Sequence, residues 1–177
     1  MSPGPVLRTA RLVLSPPAVA DFADSLAMWS DPLVVRYMGG DPYTPQDAWS
    51  RLLRYAGLWS LLGFGYWTLR LADGGRFVGE VGFADFHRDM DPPLGEAPEA
   101  GWMLASWAHG QGYAGEATRA AFGWLDETRR PPRTVCMIDP ANAPSLALAA
   151  KLGFRRFAQT RYKTREVVLL ERAQPSP

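Results

Sequence analysis

Alternating hydrophobic and polar positions predict several strands in this chain. Residues 8–14 alternate in this way, and Ser15-Pro16-Pro17 follows them and closes the predicted strand. A β-hairpin is predicted where residues 66–71 and 76–83 flank Asp73-Gly74-Gly75, because Asp-Gly accommodates the positive φ angles of tight turns. The period then changes to helical spacing in other parts of the chain, so strands and helices are mixed along the sequence.

The remaining elements complete a mixed order of strands and helices. Helices are predicted at residues 18–29, 45–62, 115–128 and 142–152, and further strands at 99–104, 134–138, 154–159 and 167–171. Residues 85–98, with three prolines and several charges, are predicted to form a surface loop. The order β-α-α-β-β-β-α-β-α-β-β predicts an α/β protein in which helices cover a mixed sheet.

Composition narrows the kind of protein and its partners. The 177 residues, 47% of them hydrophobic, suit one domain over 1–177, with loose ends expected at 1–6 and 173–177. The 19 Lys and Arg nearly balance 18 Asp and Glu, so we expect a small-molecule or weakly charged partner, no nucleic acid and no membrane. The lone Cys136 and a start without a signal-like apolar segment predict a cytoplasmic protein. The sequence leaves open whether it is a monomer or homodimer.

A glycine-rich segment between a predicted strand and a predicted helix is the most informative part of the sequence. Such a turn presents main-chain N–H groups at a helix N-terminus, where the helix dipole favours an anion such as a diphosphate. A glycine turn without any ligand is the alternative interpretation. The predicted contacts of the diphosphate are His109, Gly110, Gln111, Gly112, Tyr113, Ala114 and Gly115.

Two ligand classes compete for this segment. Gly110-Gln-Gly112-Tyr-Ala-Gly115 has the G-x-G-x-x-G spacing of dinucleotide-binding proteins, and Asp139 ends the next strand where a ribose-binding acid would lie. A nicotinamide- or flavin-dependent oxidoreductase is therefore an alternative. The glycines, however, do not follow their strand at once, and too few residues follow Asp139 to build the rest of a doubly wound sheet.

Four segments together resemble the GNAT family of N-acetyltransferases. Residues 109–114 resemble its Q/R-x-x-G-x-G/A acetyl-CoA loop, with His109 at the first position in place of Gln or Arg. Asn142-Ala-Pro-Ser145 followed by Lys151-Leu-Gly-Phe154 resembles its N-x-x-S…K-x-G-F segment, and residues 8–14 and 77–83 resemble its first and third strands. The likeness is strongest to the branch that contains the ribosomal-protein N-terminal acetyltransferases.

The resemblance implies a fold and a cofactor site. It implies the GNAT fold, a mixed and mostly antiparallel central sheet of about seven strands flanked by about four helices. It also implies that the pantetheine arm of acetyl-CoA lies in a gap between the strands at 99–104 and 134–138, and Gly101 permits a bulge or a close approach there. The implied contacts of the arm are Trp102, Met103, Leu104, Asn142 and Ser145, with an oxyanion donor from a main-chain N–H near Met103.

Acetyl transfer to an amine needs a base for the amine and an acid for the thiolate. Glu99 is the first candidate base and Glu80 the second, while a solvated carboxylate at a strand start is the alternative role of Glu99. Many relatives carry a Tyr where this chain has Ala149, so the resemblance points to Ser145 as the acid, with water as the alternative. Ser145 would otherwise be a hydroxyl that caps the helix.

The predicted activity is transfer of an acetyl group from acetyl-CoA to a primary amine by direct attack in a ternary complex, without a metal. The acceptor would be a protein N-terminus or a small molecule, bound between the two early helices and the loop at 85–98. His87 is a weaker candidate for substrate binding, and the tryptophans at 29, 49 and 59 are candidates for the cleft wall or the core. A non-catalytic acyl-CoA-binding module remains the second alternative.

Overall fold

A computed structural model describes residues 4–174, and an eight-stranded sheet runs through its centre. The strands are β1 (Leu7–Arg8), β2 (Leu12–Ser15), β3 (Tyr66–Leu71), β4 (Phe77–Ala84), β5 (Glu99–Leu104), β6 (Arg133–Ile138), β7 (Arg155–Tyr162) and β8 (Arg165–Ala173). The helices are α1 (Phe22–Trp29), α2 (Pro32–Val35), α3 (Pro45–Leu62), α4 (Tyr113–Thr128) and α5 (Ala143–Lys151). The strand order is β1-β2-β3-β4-β5-β6-β8-β7, and only β5 and β6 pair in parallel.

Local sequence explains where the longest helix begins and ends. Thr44 caps α3 by accepting from the amide of Asp47, and the Asp47 carboxylate accepts from the Thr44 amide in return. Pro45 occupies the first helical position, where its missing N–H costs nothing. Gly63 ends the helix at φ 69°, a left-handed conformation that glycine adopts without steric cost.

The α/β prediction with a mixed, mostly antiparallel sheet is confirmed, although the expected numbers of elements were low. Residues 8–14 form a short hairpin rather than one strand, because Thr9 bonds Leu12 and turns the chain between β1 and β2. The four-residue helix α2 was not predicted. Its N-cap residue Asp31 accepts a hydrogen bond from the Leu33 amide. The helix is too short to show the hydrophobic periodicity by which longer helices are predicted.

Helices cover both faces of the sheet. On one face, Tyr55 of α3 stacks on Tyr66 of β3 with ring centroids 4.0 Å apart. On the other face, Phe122 of α4 packs edge-on against Phe83 of β4 at 5.0 Å. The two faces are called the α3 face and the α4 face below.

The ends of the described chain are attached to this core. Trp67 donates its indole N–H to the Pro5 carbonyl at 2.8 Å, and Ala173 is the last residue of β8. The loose ends expected at 1–6 and 173–177 therefore do not include Pro5 or Ala173, while 1–3 and 175–177 lie outside the described residues. Within 4–174, no helix has the length and apolar character needed to cross a membrane.

Candidate active site

The two parallel strands at the centre of the sheet separate almost as soon as they meet. Glu99 of β5 is paired with Val135 of β6, and no further pair joins these strands within residues 4–174. One hydrogen bond, from the Val135 amide to the Pro98 carbonyl at 3.0 Å, marks the point where they diverge. The rest of β5 therefore faces an open gap in the sheet, which we call the fork.

Main-chain groups of β5 alternate between its neighbour β4 and the fork. The Ala105 amide donates to the Val78 carbonyl on the β4 side, whereas the Pro98 carbonyl accepts from Val135 on the β6 side. Successive residues of a strand point their amides to opposite edges, and the register between β4 and β5 is uninterrupted. The even-numbered residues of β5 consequently direct their N–H and C=O groups into the fork.

This alternation refines the predicted contacts on β5. Trp102 and Leu104 direct their amides into the fork, while Met103 is aligned with Glu80 and directs its amide to β4. Near Met103, the amides that face the fork are therefore those of its two neighbours and not its own. The Leu104 carbonyl is already occupied, because the ring Nε2 of His109 lies 2.9 Å from it.

Beyond the fork, the glycine-rich turn presents the amino end of α4. Gly110 and Gly112 adopt φ angles of 73° and 81°, and Gly112 is the N-cap residue without any side-chain cap. The amides of the first helical turn therefore have no partner within the helix. A Cβ added at Gly110 would meet no described atom within 4 Å, and one at Gly112 only the Arg11 guanidinium at 3.5 Å. The predicted diphosphate contacts thus lie on an open surface.

Polar side chains of this turn bond to main-chain carbonyls and leave the amides of Gly110, Gln111 and Gly112 without a partner in the described residues, whereas the His109 amide donates to the Ser106 carbonyl at 3.2 Å. The ring of His109 turns back to the end of β5, and the Gln111 side-chain amide donates to the Trp107 carbonyl at 2.7 Å. These contacts hold the shape of the turn. That main-chain amides, rather than the side chain of His109, serve the diphosphate stays a prediction.

An ion pair that the sequence pattern did not predict joins the first hairpin to this turn. Arg11 donates from Nε to the Glu116 carboxylate at 2.7 Å and from a terminal nitrogen to the Gln111 carbonyl at 3.0 Å. Burial works against the charge of Glu116, but hydrogen bonds from Thr9 and Arg11 lower the pKa of this carboxyl below its usual value. The half-exposed guanidinium lies beside the proposed anion site and adds positive potential there.

The predicted residues of α5 meet β5 across the fork. Asn142 caps α5 by accepting from the Ser145 amide at 3.2 Å, as predicted for the helix-capping role. The Ser145 hydroxyl accepts a hydrogen bond from the Trp102 indole N–H at 3.2 Å. Ala149 is fully buried in the core, so no phenol projects from this helix position.

The candidate base Glu99 is held in a bidentate ion pair. Arg88, from the loop at 85–98, donates to both carboxylate oxygens at 2.6 and 2.8 Å. Its guanidinium also lies over the rings of Phe86 and Tyr162, at 4.7 and 5.0 Å from their centroids. Glu99 is 8% exposed, so it is not the solvated carboxylate that the alternative interpretation required. As a base it would have to share its oxygens with Arg88.

The second candidate base is more deeply enclosed. Glu80 accepts from the Ser25 hydroxyl at 2.6 Å and from the Trp29 indole at 2.9 Å. Burial raises the pKa of Glu80 above its usual value, and these two hydrogen bonds oppose the shift only in part. The side chain lies on the α3 face, one strand away from the fork.

Other residues considered from the sequence fall outside the fork. Trp29 and Trp59 are buried in the core, whereas Trp49 is 38% exposed and packs edge-on against Phe22. The His87 side chain is largely exposed, beside Asp85. Burial also raises the pKa of the Cys136 thiol, which makes it a poor nucleophile.

The topology separates the two ligand classes. A dinucleotide-binding sheet is doubly wound and parallel, whereas this sheet is antiparallel except at the fork. Asp139 accepts from the Ala141 amide at 2.8 Å and so shapes a turn. The family described as acetyltransferase (GNAT) domain matches residues 11–155. The chain belongs to the GNAT family. The predicted class, an acyl-CoA-dependent N-acetyltransferase, is confirmed at the level of this family.

Individual relatives agree with the family. A solved structure assigned to GNAT acetyltransferases from Bordetella pertussis is 36% identical, with a TM-score of 0.85 over 96% of this chain and 99% of that one. The N-acetyltransferase p20 of Bacillus licheniformis is 28% identical over 85% of this chain and 82% of its own. YkkB of Bacillus subtilis is 27% identical, and the match spans 62% of each chain.

More distant solved structures share the fold. A ribosomal-protein-serine acetyltransferase from Vibrio cholerae is 18% identical with a TM-score of 0.76, covering 98% of this chain and 99% of that one. A spermidine N-acetyltransferase from the same organism is 15% identical with a TM-score of 0.73, covering 94% of this chain and 97% of that one. The fold therefore includes enzymes named for both protein and small-molecule acceptors.

Proposed function

We propose that this protein transfers the acetyl group of acetyl-CoA to a primary amine by direct attack within a ternary complex. The observation that carries the proposal is the fork between β5 and β6, continued by an uncapped helix N-terminus. The fork offers unpaired main-chain amides to a pantetheine arm, and the helix end offers amides and a positive dipole to a diphosphate. The two features follow each other along the chain in the order that acetyl-CoA requires.

Residues 109–115 hold the diphosphate through main-chain amides in this proposal. The pantetheine arm lies along Trp102, Met103 and Leu104, with Asn142 and Ser145 on the opposite side of the fork. An amide of Trp102 or Leu104 stabilises the oxyanion that forms on the acetyl carbonyl. Most of the rate acceleration then comes from holding the amine against the thioester.

Proton transfer is assigned to residues that line the fork. Glu99 takes the proton of the amine directly or through water, which requires Arg88 to turn away from at least one carboxylate oxygen. Ser145, on the α5 side of the fork, is the candidate acid that protonates the departing thiolate. Its hydroxyl accepts a hydrogen bond from the Trp102 indole.

The acceptor in this proposal is a protein N-terminus or a small primary amine. It binds between the two early helices and the loop at 85–98, where Arg88 pairs with Glu99 and lies over the Tyr162 ring. Support comes from the fold, which is shared by enzymes named for a ribosomal protein and for spermidine.

Calorimetric titration with acetyl-CoA and, separately, with NADH tests the cofactor. We expect saturable binding of acetyl-CoA that Gly112→Asp abolishes, because the new carboxylate would enter the anion site. Gly123→Asp on an exposed part of α4 is the matched control, since a Cβ there meets no described atom within 4 Å. Binding of NADH without binding of acetyl-CoA would overturn the proposal.

A free-thiol assay with a panel of primary amines separates an enzyme from a binding module. An enzyme releases CoA in an amine-dependent manner and forms an equal amount of acetylated product. Tight binding of acetyl-CoA without thiol release for any amine would favour the non-catalytic module.

A further inference from the structure

One tyrosine of β3 reaches across two strands to the fork. Tyr66 is aligned with Gly82 of β4, and Gly82 is aligned with Gly101 of β5, so the three residues form a row on the α3 face. A Cβ on Gly101 would overlap the Tyr66 hydroxyl, and a Cβ on Gly82 would overlap the Tyr66 Cα. Gly82 therefore makes room for the main chain of β3, and Gly101 makes room for the phenol, whose hydroxyl lies against the strand that borders the fork.

The packing around Tyr66 holds the hydroxyl in this position. Its ring is stacked parallel to the ring of Tyr55, with an interplanar angle of 1°. Its main-chain carbonyl accepts from the Trp59 indole at 2.7 Å. The side chain is thus confined between α3 and the sheet and cannot leave the row without a change in packing.

The hydroxyl is protonated and has no protein partner in the described chain. Burial raises the pKa of Tyr66 well above its usual value, and the nearby Glu99 carboxylate adds to this effect. Within residues 4–174, no side chain or carbonyl is hydrogen-bonded to the Tyr66 hydroxyl. Tyr55 differs, because its hydroxyl accepts from Arg51 at 2.7 Å. The fully enclosed side-chain polar atoms without a partner in the described residues are Arg51 Nε and Gln174 Oε1, so the Tyr66 hydroxyl keeps some exposure and can donate to a ligand.

We propose that the Tyr66 hydroxyl is the hydrogen-bond and proton donor to the sulfur of CoA in the fork. The inference rests on the proposed function. The amine nitrogen forms a bond to the acetyl carbon, and the bond between that carbon and sulfur breaks. The sulfur takes the proton of Tyr66, Glu99 takes the proton that the amine nitrogen loses, and this proton then passes from Glu99 to the phenolate. The reactants supply every atom, and the phenol returns to its starting state.

The assignment explains how this chain works without a phenol at Ala149. Two groups gain negative charge during the reaction, the oxyanion and the departing thiolate. The main-chain amides of β5 stabilise the oxyanion, so the thiolate needs a donor of its own. Ser145 lies on the opposite side of the fork, where its hydroxyl already accepts from Trp102. Tyr66 adds a second hydroxyl, from a strand that the comparison with the GNAT motif did not single out.

The thiol pKa of bound CoA tests this proposal without any acceptor. A hydrogen bond to the thiolate favours the charged form and lowers the pKa of the thiol. Ultraviolet absorbance of the thiolate is followed against pH in the CoA complex, with the complex of desulfo-CoA as the blank for tyrosine ionisation. We expect Tyr66→Phe to raise the pKa of the bound thiol by about one unit or more, a roughly tenfold loss of thiolate at fixed pH.

Two further variants test whether the shift in the thiol pKa comes from the Tyr66 hydroxyl. Tyr55→Phe removes a hydroxyl that points to Arg51 and should leave the pKa of the bound thiol unchanged. Gly101→Ala keeps the phenol but displaces its hydroxyl, so it should raise that pKa as Tyr66→Phe does. With an amine that supports turnover, Tyr66→Phe should lower kcat about tenfold or more while the KM for acetyl-CoA stays the same.

The outcomes separate the two proposals. If CoA does not bind the wild-type protein, both the proposed function and the role of Tyr66 are overturned. If CoA binds and the thiol pKa is equal in the wild type and in Tyr66→Phe, only the role of Tyr66 is overturned.

Discussion

The row formed by Tyr66, Gly82 and Gly101 makes a sharp prediction about stability. Gly101→Ala places a methyl group where the Tyr66 hydroxyl lies, and the next nearest atoms are the Tyr66 Cζ at 3.0 Å and Cε1 at 3.4 Å. The phenol cannot move away from the sheet, because the ring of Tyr55 is stacked on it with the ring centroids 4.0 Å apart. The substitution should therefore destabilise the protein although alanine is the smallest possible change.

The size of the effect follows from the contacts. Overpacking of a well-packed site costs about 1 to 3 kcal/mol. For a chain of this length, each kcal/mol lowers Tm by roughly 2 to 4 °C. Without the hydroxyl oxygen, the methyl group meets only the Cζ contact at 3.0 Å, which a shift of a few tenths of an ångström relieves. In a Tyr66→Phe background, the same substitution should thus cost about 1 kcal/mol or less.

Urea denaturation of the wild type, both single variants and the double variant measures this coupling. We expect an interaction free energy of about 1 to 2 kcal/mol between positions 66 and 101. Gly123→Ala is the matched control, since a Cβ there meets no described atom within 4 Å. That change lies on α4 and should stabilise the protein by up to about 1 kcal/mol through helix propensity. Equal destabilisation by Gly101→Ala in the two backgrounds would refute the reasoning.

Three further predictions concern the first hairpin and the fork. Glu116→Gln should cost about 1 kcal/mol at neutral pH in urea denaturation, because it removes the Arg11 pair; a larger loss in acid would contradict this. The folded-state pKa of Glu116 is lowered, so its stabilisation is full above the unfolded-state pKa of about 4.3 and disappears as pH falls through the folded value. Ser145→Ala frees the Trp102 indole and should lower turnover more than acetyl-CoA affinity, measured by steady-state kinetics and calorimetry. Glu99→Gln should lower turnover about tenfold or more, and unchanged turnover in steady-state kinetics would exclude Glu99 as the base.

Elements with a strong local signal were predictable from the sequence. The helix Pro45–Leu62 has a capping box at one end and a left-handed glycine at the other, and its predicted bounds agree with the structure. The strands Tyr66–Leu71 and Glu99–Leu104 likewise agree. Weak local signals failed, as at α2, where four residues give no periodicity.

Parts of the candidate site were also predictable, because backbone requirements leave a mark in the sequence. Gly110 and Gly112 adopt positive φ angles, which glycine adopts without strain, and the N-cap residue Asn142 performs the predicted capping. The ion pairs Arg88–Glu99 and Arg11–Glu116 could not be found in this way. The first joins a surface loop to a strand 11 positions away, and 105 positions separate the second pair along the chain.

By itself, the sequence determined most of the longer strands and helices and where the glycine turn meets a helix, because caps, turns and periodicity act over a few residues. Tertiary structure decided the rest. Only strand register brought Tyr66, Gly82 and Gly101 into one row and opened the fork beside them, since these residues come from three different strands. Contacts between strands depend on how the whole sheet is assembled, and no short window of sequence contains that information.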